Sequence, residues 1–152
     1  MIQRSFFYTA TVCSLAVIAL SATPFAKADT LGDPQRGQYL AVASDCVACH
    51  TAPHGQPFAG GLAMHTPLGV MYSTNITPSL SAGIGHYSLE DFDKAVRRGV
   101  RKDGANLYPA MPYTAYSYLT DQDIADLYAY FQKNVAPVDK KGPVTALPFP
   151  MN

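Results

Sequence analysis

Asp45-Cys46-Val47-Ala48-Cys49-His50 is the stretch that decides how this chain is read. Cys46 and Cys49 are separated by two residues, and His50 follows directly. The third cysteine of the chain, Cys13, sits in an apolar segment with the form of an export signal. Met1 to Arg4 is short and basic, Ser5 to Leu20 is mostly apolar, and Ala26-Lys27-Ala28 has the small-x-small form that a signal peptidase accepts. Residues 1–28 are therefore expected to be a signal peptide, which places the remainder in the periplasm. The apolar run is short for a membrane span and leads straight into the cleavage-like site. In an exported protein two cysteines ordinarily suggest a disulfide, but the histidine and the spacing argue for a different chemistry.

C-x-x-C-H is the attachment motif of a c-type haem. The two thiols add to the two vinyl groups of the macrocycle as thioethers, and the adjacent histidine supplies the proximal nitrogen to iron. Three readings compete. A zinc ribbon needs a second Cys or His pair; no second Cys pair exists, although His54, His65 and His86 are available. A thioredoxin-like pair belongs in a strand–helix context, and no such strand pattern is found. A chance match or a plain disulfide is the third.

A haem iron then needs a second axial decision. Methionine gives a closed electron-transfer site with raised potential, histidine lowers the potential, and an open position admits small molecules. Met111 is the best candidate. It lies in Tyr108-Pro109-Ala110-Met111-Pro112-Tyr113, where prolines on both sides stiffen the loop. Met64, Met71 and Met151 read as apolar filler, and His54, His65 and His86 as loop or surface residues. Pro67 is a candidate to accept a hydrogen bond from the free ring nitrogen of His50 and so orient it.

Three helices are expected around this motif, separated by long irregular stretches. The first starts at Asp33-Pro34, a good N-cap followed by a proline at the first helical position. Gly37 in its interior suggests close approach by another element. The second begins at Ser88, where Ser88 and Asp91 approximate a capping box, and ends at Gly99. The third is capped by Thr120 and carries Ile124, Leu127, Tyr128 and Phe131 at helical spacing. The Gly/Pro-rich stretch from Thr51 to Tyr87 is long for a loop in a compact domain, and a large flat cofactor wrapped by it explains the length. The tail, residues 138–152, is Pro-rich and aperiodic and reads as linker or truncated tail. The expected domain is 29–137. Tyr108, Tyr113, Tyr116, Tyr118, Tyr128 and Tyr130 crowd the second half, mostly as packing, with Arg97, Arg98 and Arg101 as candidate partners for haem propionates. Asn75-Ile76-Thr77 has the form of a glycosylation acceptor, disregarded because Pro78 follows and the export signal looks bacterial.

The chain has 152 residues with 11 Lys and Arg against 11 Asp and Glu. Removal of residues 1–28 takes away Arg4 and Lys27 and leaves 9 against 11, a net charge of about −2. That balance offers no basic patch for nucleic acid and no polybasic membrane anchor.

The order of signal, helix, C-x-x-C-H, loop, helix, Met loop and terminal helix resembles the class I cytochrome c fold: all-α, three main helices with long loops around one haem. Gly37-Gln38-Tyr39-Leu40, Ala59-Gly60-Gly61, Ser73-Thr74-Asn75-Ile76-Thr77-Pro78, Gly83-Ile84-Gly85 and Leu107 to Tyr113 extend the resemblance. Together with Asp45 to Thr51 they look like the first haem domain of the multihaem cytochrome c subunit of bacterial membrane-bound dehydrogenases for alcohols, aldehydes and gluconate. The match runs over about residues 32–150. Where such members commonly carry Trp after the Gly-Ile-Gly run, this chain has Tyr87.

The resemblance implies an electron carrier rather than an enzyme. It would take electrons from a catalytic dehydrogenase subunit carrying PQQ, flavin or molybdenum. It would pass them to a downstream acceptor, further haems and then ubiquinone. Cys46 and Cys49 become the thioether sites, and His50 and Met111 the two axial ligands of one covalent haem c. Members typically carry three C-x-x-C-H motifs and this chain has one. The expectation is therefore either a fragment of a three-haem subunit or a one-haem protein, with membrane association only through partners or further C-terminal domains. A free periplasmic shuttle is the alternative within electron transfer, and an open-site haem sensor or enzyme the alternative outside it.

Overall fold

The computed structural model describes residues 32–148 and Pro150. The expected signal segment, with Cys13, and the candidate Met151 lie outside the described residues. Helix α1 spans Pro34–Ala43, the single turn α2 Cys46–Cys49, strands β1 and β2 Ala63–Thr66 and Gly69–Tyr72, helix α3 Leu89–Arg98, the single turn α4 Tyr113–Tyr116, and helix α5 Asp121–Lys133. The three expected helices are all present.

Their ends follow from local chemistry. The Asp33 carboxylate accepts from the amides of Gln35 and Arg36 at the start of α1, satisfying donors that have no partner inside the helix. Ser88 and Asp91, and likewise Thr120 and Asp123, form reciprocal capping boxes at α3 and α5. Gly99 closes α3 in the left-handed conformation.

Helices α1 and α5 pack backbone to backbone. A Cβ added to Gly37 would stand 2.0 Å from the Asp126 carbonyl oxygen, so the glycine anticipated as a contact point is one. Polar groups lock the same crossing. The Asp126 side chain, 1% exposed, accepts from the Asp33 amide at 2.7 Å and from Gln122 Nε2 at 2.8 Å, and pairs with Arg36. Arg36 also pairs with Asp123.

Beside this crossing the core gathers Phe58, Ile84, Phe92, Ile124, Leu127 and Phe131. The rings of Phe58 and Phe131 meet edge to face at 5.2 Å between centroids, an arrangement worth about 1 kcal/mol beyond burial. Tyr128 donates to the Tyr87 carbonyl at 2.8 Å and Gln132 to that of Ile84 at 3.1 Å, which holds the chain before α3 against α5.

Two features differ from the sequence expectation. The stretch 63–72 is an antiparallel hairpin, with Ala63 opposite Tyr72 and Met64 opposite Met71. Neither Ala63-Met64-His65-Thr66 nor Gly69-Val70-Met71-Tyr72 alternates apolar with polar residues, so the sequence carries no strand signal there. The tail has no helix or strand, as a linker would, but it is fastened down rather than free. Asn75 donates to the carbonyls of Val138 and Lys140, Tyr72 donates to Thr145 Oγ1, and Leu147 is buried at 7% exposure.

Candidate functional site

The C-x-x-C-H stretch follows α1 almost without a break. Ser44 caps α1, and Asp45 turns the chain with φ 57°, a left-handed position that Asp tolerates better than most residues. One helical turn then carries Cys46 to Cys49, and the His50 amide donates to the Cys46 carbonyl at 3.0 Å. Residues three and four apart on a helix share a face, so Cys46, Cys49 and His50 are presented together. Cys46 and Cys49 are not joined to each other in a disulfide. Burial pushes the Cys46 thiol up to about 11, which keeps it protonated at neutral pH.

His50 is oriented by a backbone acceptor. Its Nδ1 stands 2.7 Å from the Thr74 carbonyl oxygen, so Nδ1 carries the proton and donates, leaving Nε2 as the unprotonated nitrogen. Burial lowers the imidazole below its usual value, and the Thr74 bond opposes that in part. Pro67, expected to make this contact, does not. It lies in the turn between β1 and β2, and the hairpin carries it away while delivering Thr74 just past the end of β2. The Thr74 carbonyl rests on Gly60 at φ 71°, where an added Cβ would approach that oxygen to 2.6 Å. The Gly60 amide donates to the His50 carbonyl at 2.8 Å.

Met111 is held from both flanks. On one side the Leu107 amide donates to the Gly99 carbonyl at 2.7 Å. On the other the Tyr113 ring covers Gly99, so that an added Cβ would meet it at 2.7 Å. The Tyr113 amide donates to the Met111 carbonyl at 2.8 Å. The Tyr116 hydroxyl donates to the Ser44 carbonyl at 2.7 Å, tying the turn after Met111 to the residue before the C-x-x-C-H stretch.

These elements enclose one cleft with about 1240 Å³ of empty space, its open mouth included. Cys46, Cys49, His50 and Met111 all line it. The remaining wall is largely apolar, with Ile76, Ile84, Phe92, Val96, Leu107 and Leu127 among its residues. Two thiols able to bond the vinyl groups of a macrocycle, with an imidazole and a thioether as donors to its iron, inside an apolar cleft, suit a haem of the c type. A closed zinc site would need four ligands, and among the described residues no group of three or more His, Cys, Asp or Glu is placed to hold a metal ion between them.

Other candidates fall elsewhere. His54, His65 and His86 are exposed and outside the cleft. Met64 and Met71, read as filler, both line it; only the hairpin brings them there, side by side. Arg97 is occupied by Asp93, Asp121 and the Leu119 carbonyl, and Arg101 by Asp103. Asn75 is 6% exposed with both side-chain polar atoms engaged, which leaves it closed to a glycan. Thr74 was the residue that sequence reading missed, because a backbone acceptor has no side-chain signature.

The chain is similar to several known proteins. The fructose dehydrogenase cytochrome subunit of Gluconobacter japonicus is 59% identical over 77% of this chain and 24% of its own length. The gluconate 2-dehydrogenase cytochrome c subunit of Pantoea cypripedii is 57% identical over 78% of this chain and 27% of its own length. The cytochrome c subunit of the quinone alcohol dehydrogenase of Gluconobacter oxydans is 49% identical over 90% of this chain and 30% of its own length. The chain thus spans 24–30% of the length of these relatives. The family profile described as Cytochrome c matches residues 34–134, across both the Cys46–His50 turn and the Met111 loop, and the chain belongs to the cytochrome c family, whose members carry covalently bound haem c.

Proposed function

We propose that this chain carries electrons through a single haem c bound at Cys46 and Cys49, with His50 and Met111 as axial ligands. The observation that supports this best is the convergence of those four side chains on one apolar cleft. When bound, the haem supplies a one-electron couple. The protein's own residues do the rest. The Thr74 carbonyl fixes the tautomer and ring orientation of His50, so no large rearrangement is needed between oxidation states. Met111, braced by Gly99 and Tyr113, offers a soft sulfur that favours reduced iron. The apolar wall excludes water, which raises the potential further.

The relatives named above are cytochrome subunits of dehydrogenases for fructose, gluconate and alcohol. We read this chain as the corresponding electron-transfer module: periplasmic, receiving electrons from a catalytic dehydrogenase subunit and passing them toward further haems and ubiquinone. Among the described residues no helix is long and apolar enough to cross a membrane.

The test is production in a host with periplasmic haem-attachment machinery. The intact mass should equal residues 29–152 plus one haem, and the colour should resist acid-acetone extraction. Carbon monoxide should leave the reduced spectrum unchanged at neutral pH. A colourless chain, or a pigment that extracts, would refute covalent attachment; ready binding of carbon monoxide would refute Met111 ligation.

A further inference from the structure

The tail, residues 138–148, is bonded to one short stretch of chain. Its partners there are Tyr72, Asn75, Thr77 and Ser79, on both sides of Thr74 in sequence. Asn75 is the centre of this latch. Its Nδ2 donates to the Val138 carbonyl at 2.8 Å and to that of Lys140 at 3.2 Å. Its Oδ1 accepts from the Thr77 amide at 2.9 Å and from Thr77 Oγ1 at 2.7 Å. Thr77, 0% exposed, in turn accepts from the Val138 amide at 3.1 Å. Further along, Ser79 donates to Asp139 at 2.5 Å and Tyr72 to Thr145 Oγ1 at 2.9 Å.

We propose that Asn75 is a positioning residue for His50, latching the 138–148 segment against the loop that presents the Thr74 carbonyl to the imidazole. This rests on the reading of His50 as proximal ligand. The physical argument is one of rigidity. A loop without regular structure holds a carbonyl in place only if its own backbone is pinned. Gly60 supports the Thr74 carbonyl from one contact, and the latch pins the residues on either side of it. An imidazole whose Nδ1–H donates to a well-placed acceptor is a stronger electron donor to iron, which favours the oxidised state. Loosening the tail therefore raises the potential, although none of its bonded residues touches the cleft except Tyr72.

The haem-loaded protein is compared with Asn75→Ala, Thr145→Val and Thr145→Ser. Amide exchange at Tyr72 and Val138 and exchange of the His50 Nδ1 proton are read by NMR, alongside the midpoint potential. Asn75→Ala is expected to speed all three exchanges at least tenfold and to raise the potential by a several-fold change in the reduction equilibrium, where tenfold is ~59 mV for one electron. Thr145→Val, which leaves the buried Asn75 network intact, is expected to do the same to a smaller degree, and Thr145→Ser to restore wild-type values. Should Asn75→Ala fail to fold, the Thr145 pair decides. Faster tail exchange with an unchanged His50 proton and potential would overturn the proposal and leave the tail a merely structural strap. A wild-type protein without covalent haem would overturn the underlying assignment instead.

Discussion

Gly37 lies so close to Asp126 that a single methyl group could not fit between them: its Cβ would stand 2.0 Å from the Asp126 carbonyl oxygen. The first and last helices of the domain thus touch through main-chain atoms, and the C-x-x-C-H turn that follows α1 inherits its position from that contact. Gly37→Ala has to push the helices apart. It is expected to destabilise the protein by about 3 kcal/mol, at the upper end for overpacking, measured as a lower denaturant midpoint of the haem-loaded form. Stability equal to wild type would show that the crossing can relax.

The same crossing sets an acid limit. Burial works against ionisation of Asp126, but the Asp33 amide, Arg36 and Gln122 outweigh it and hold the carboxyl below the ordinary carboxylate value. Asp123 is likewise held low, by Thr120 first and Arg36 after. A depressed folded-state value means that the unfolded chain takes up protons first. The stabilisation is whole above about pH 4, the unfolded value, and is lost as pH falls toward the folded one. Thermal unfolding between pH 6 and pH 2 is expected to show a shallower acid limb in Asp126→Asn than in wild type. Parallel curves would rule the pair out as the sensor.

Met111→Ala is expected to keep the haem attached, open the position to carbon monoxide, and lower the midpoint potential on the order of 100 mV, within the ~0.8 V span that axial ligands cover. Met64→Ala and Met71→Ala are the comparison, because both side chains line the cleft without the bracing that holds Met111. If either of them opens the iron while Met111→Ala does not, the sixth ligand belongs to the hairpin.

Cys46→Ala with Cys49→Ala removes both attachment points, and Cys46 also packs against the core cluster. The double variant is expected to yield no acid-acetone-resistant pigment and to lose its near-ultraviolet circular dichroism. The cofactor cleft opens onto Phe92, Leu127 and Phe131, so the core has no other filling on that side. A well-ordered colourless protein would show that the three helices need only one another.

The sequence alone determined what depends on neighbours along the chain. Asp33-Pro34, Ser88 with Asp91, and Thr120 announced the three helix starts, because a cap bonds amides two or three residues away. The C-x-x-C-H spacing put both cysteines on the single turn Cys46–Cys49 for the same reason, and the interior Gly37 signalled a crowded crossing.

What required distant segments was decided only by the tertiary structure. Thr74 rather than Pro67 meets His50, because a hairpin whose strands lack apolar–polar alternation turns Pro67 away. Met64 and Met71 reach the cleft by that same turn. The aperiodic tail is anchored through Asn75 and Thr145, and Asp126 is buried against α1. A main-chain carbonyl or amide looks the same in every residue, so the partner it finds across the fold leaves no mark in the order of side chains.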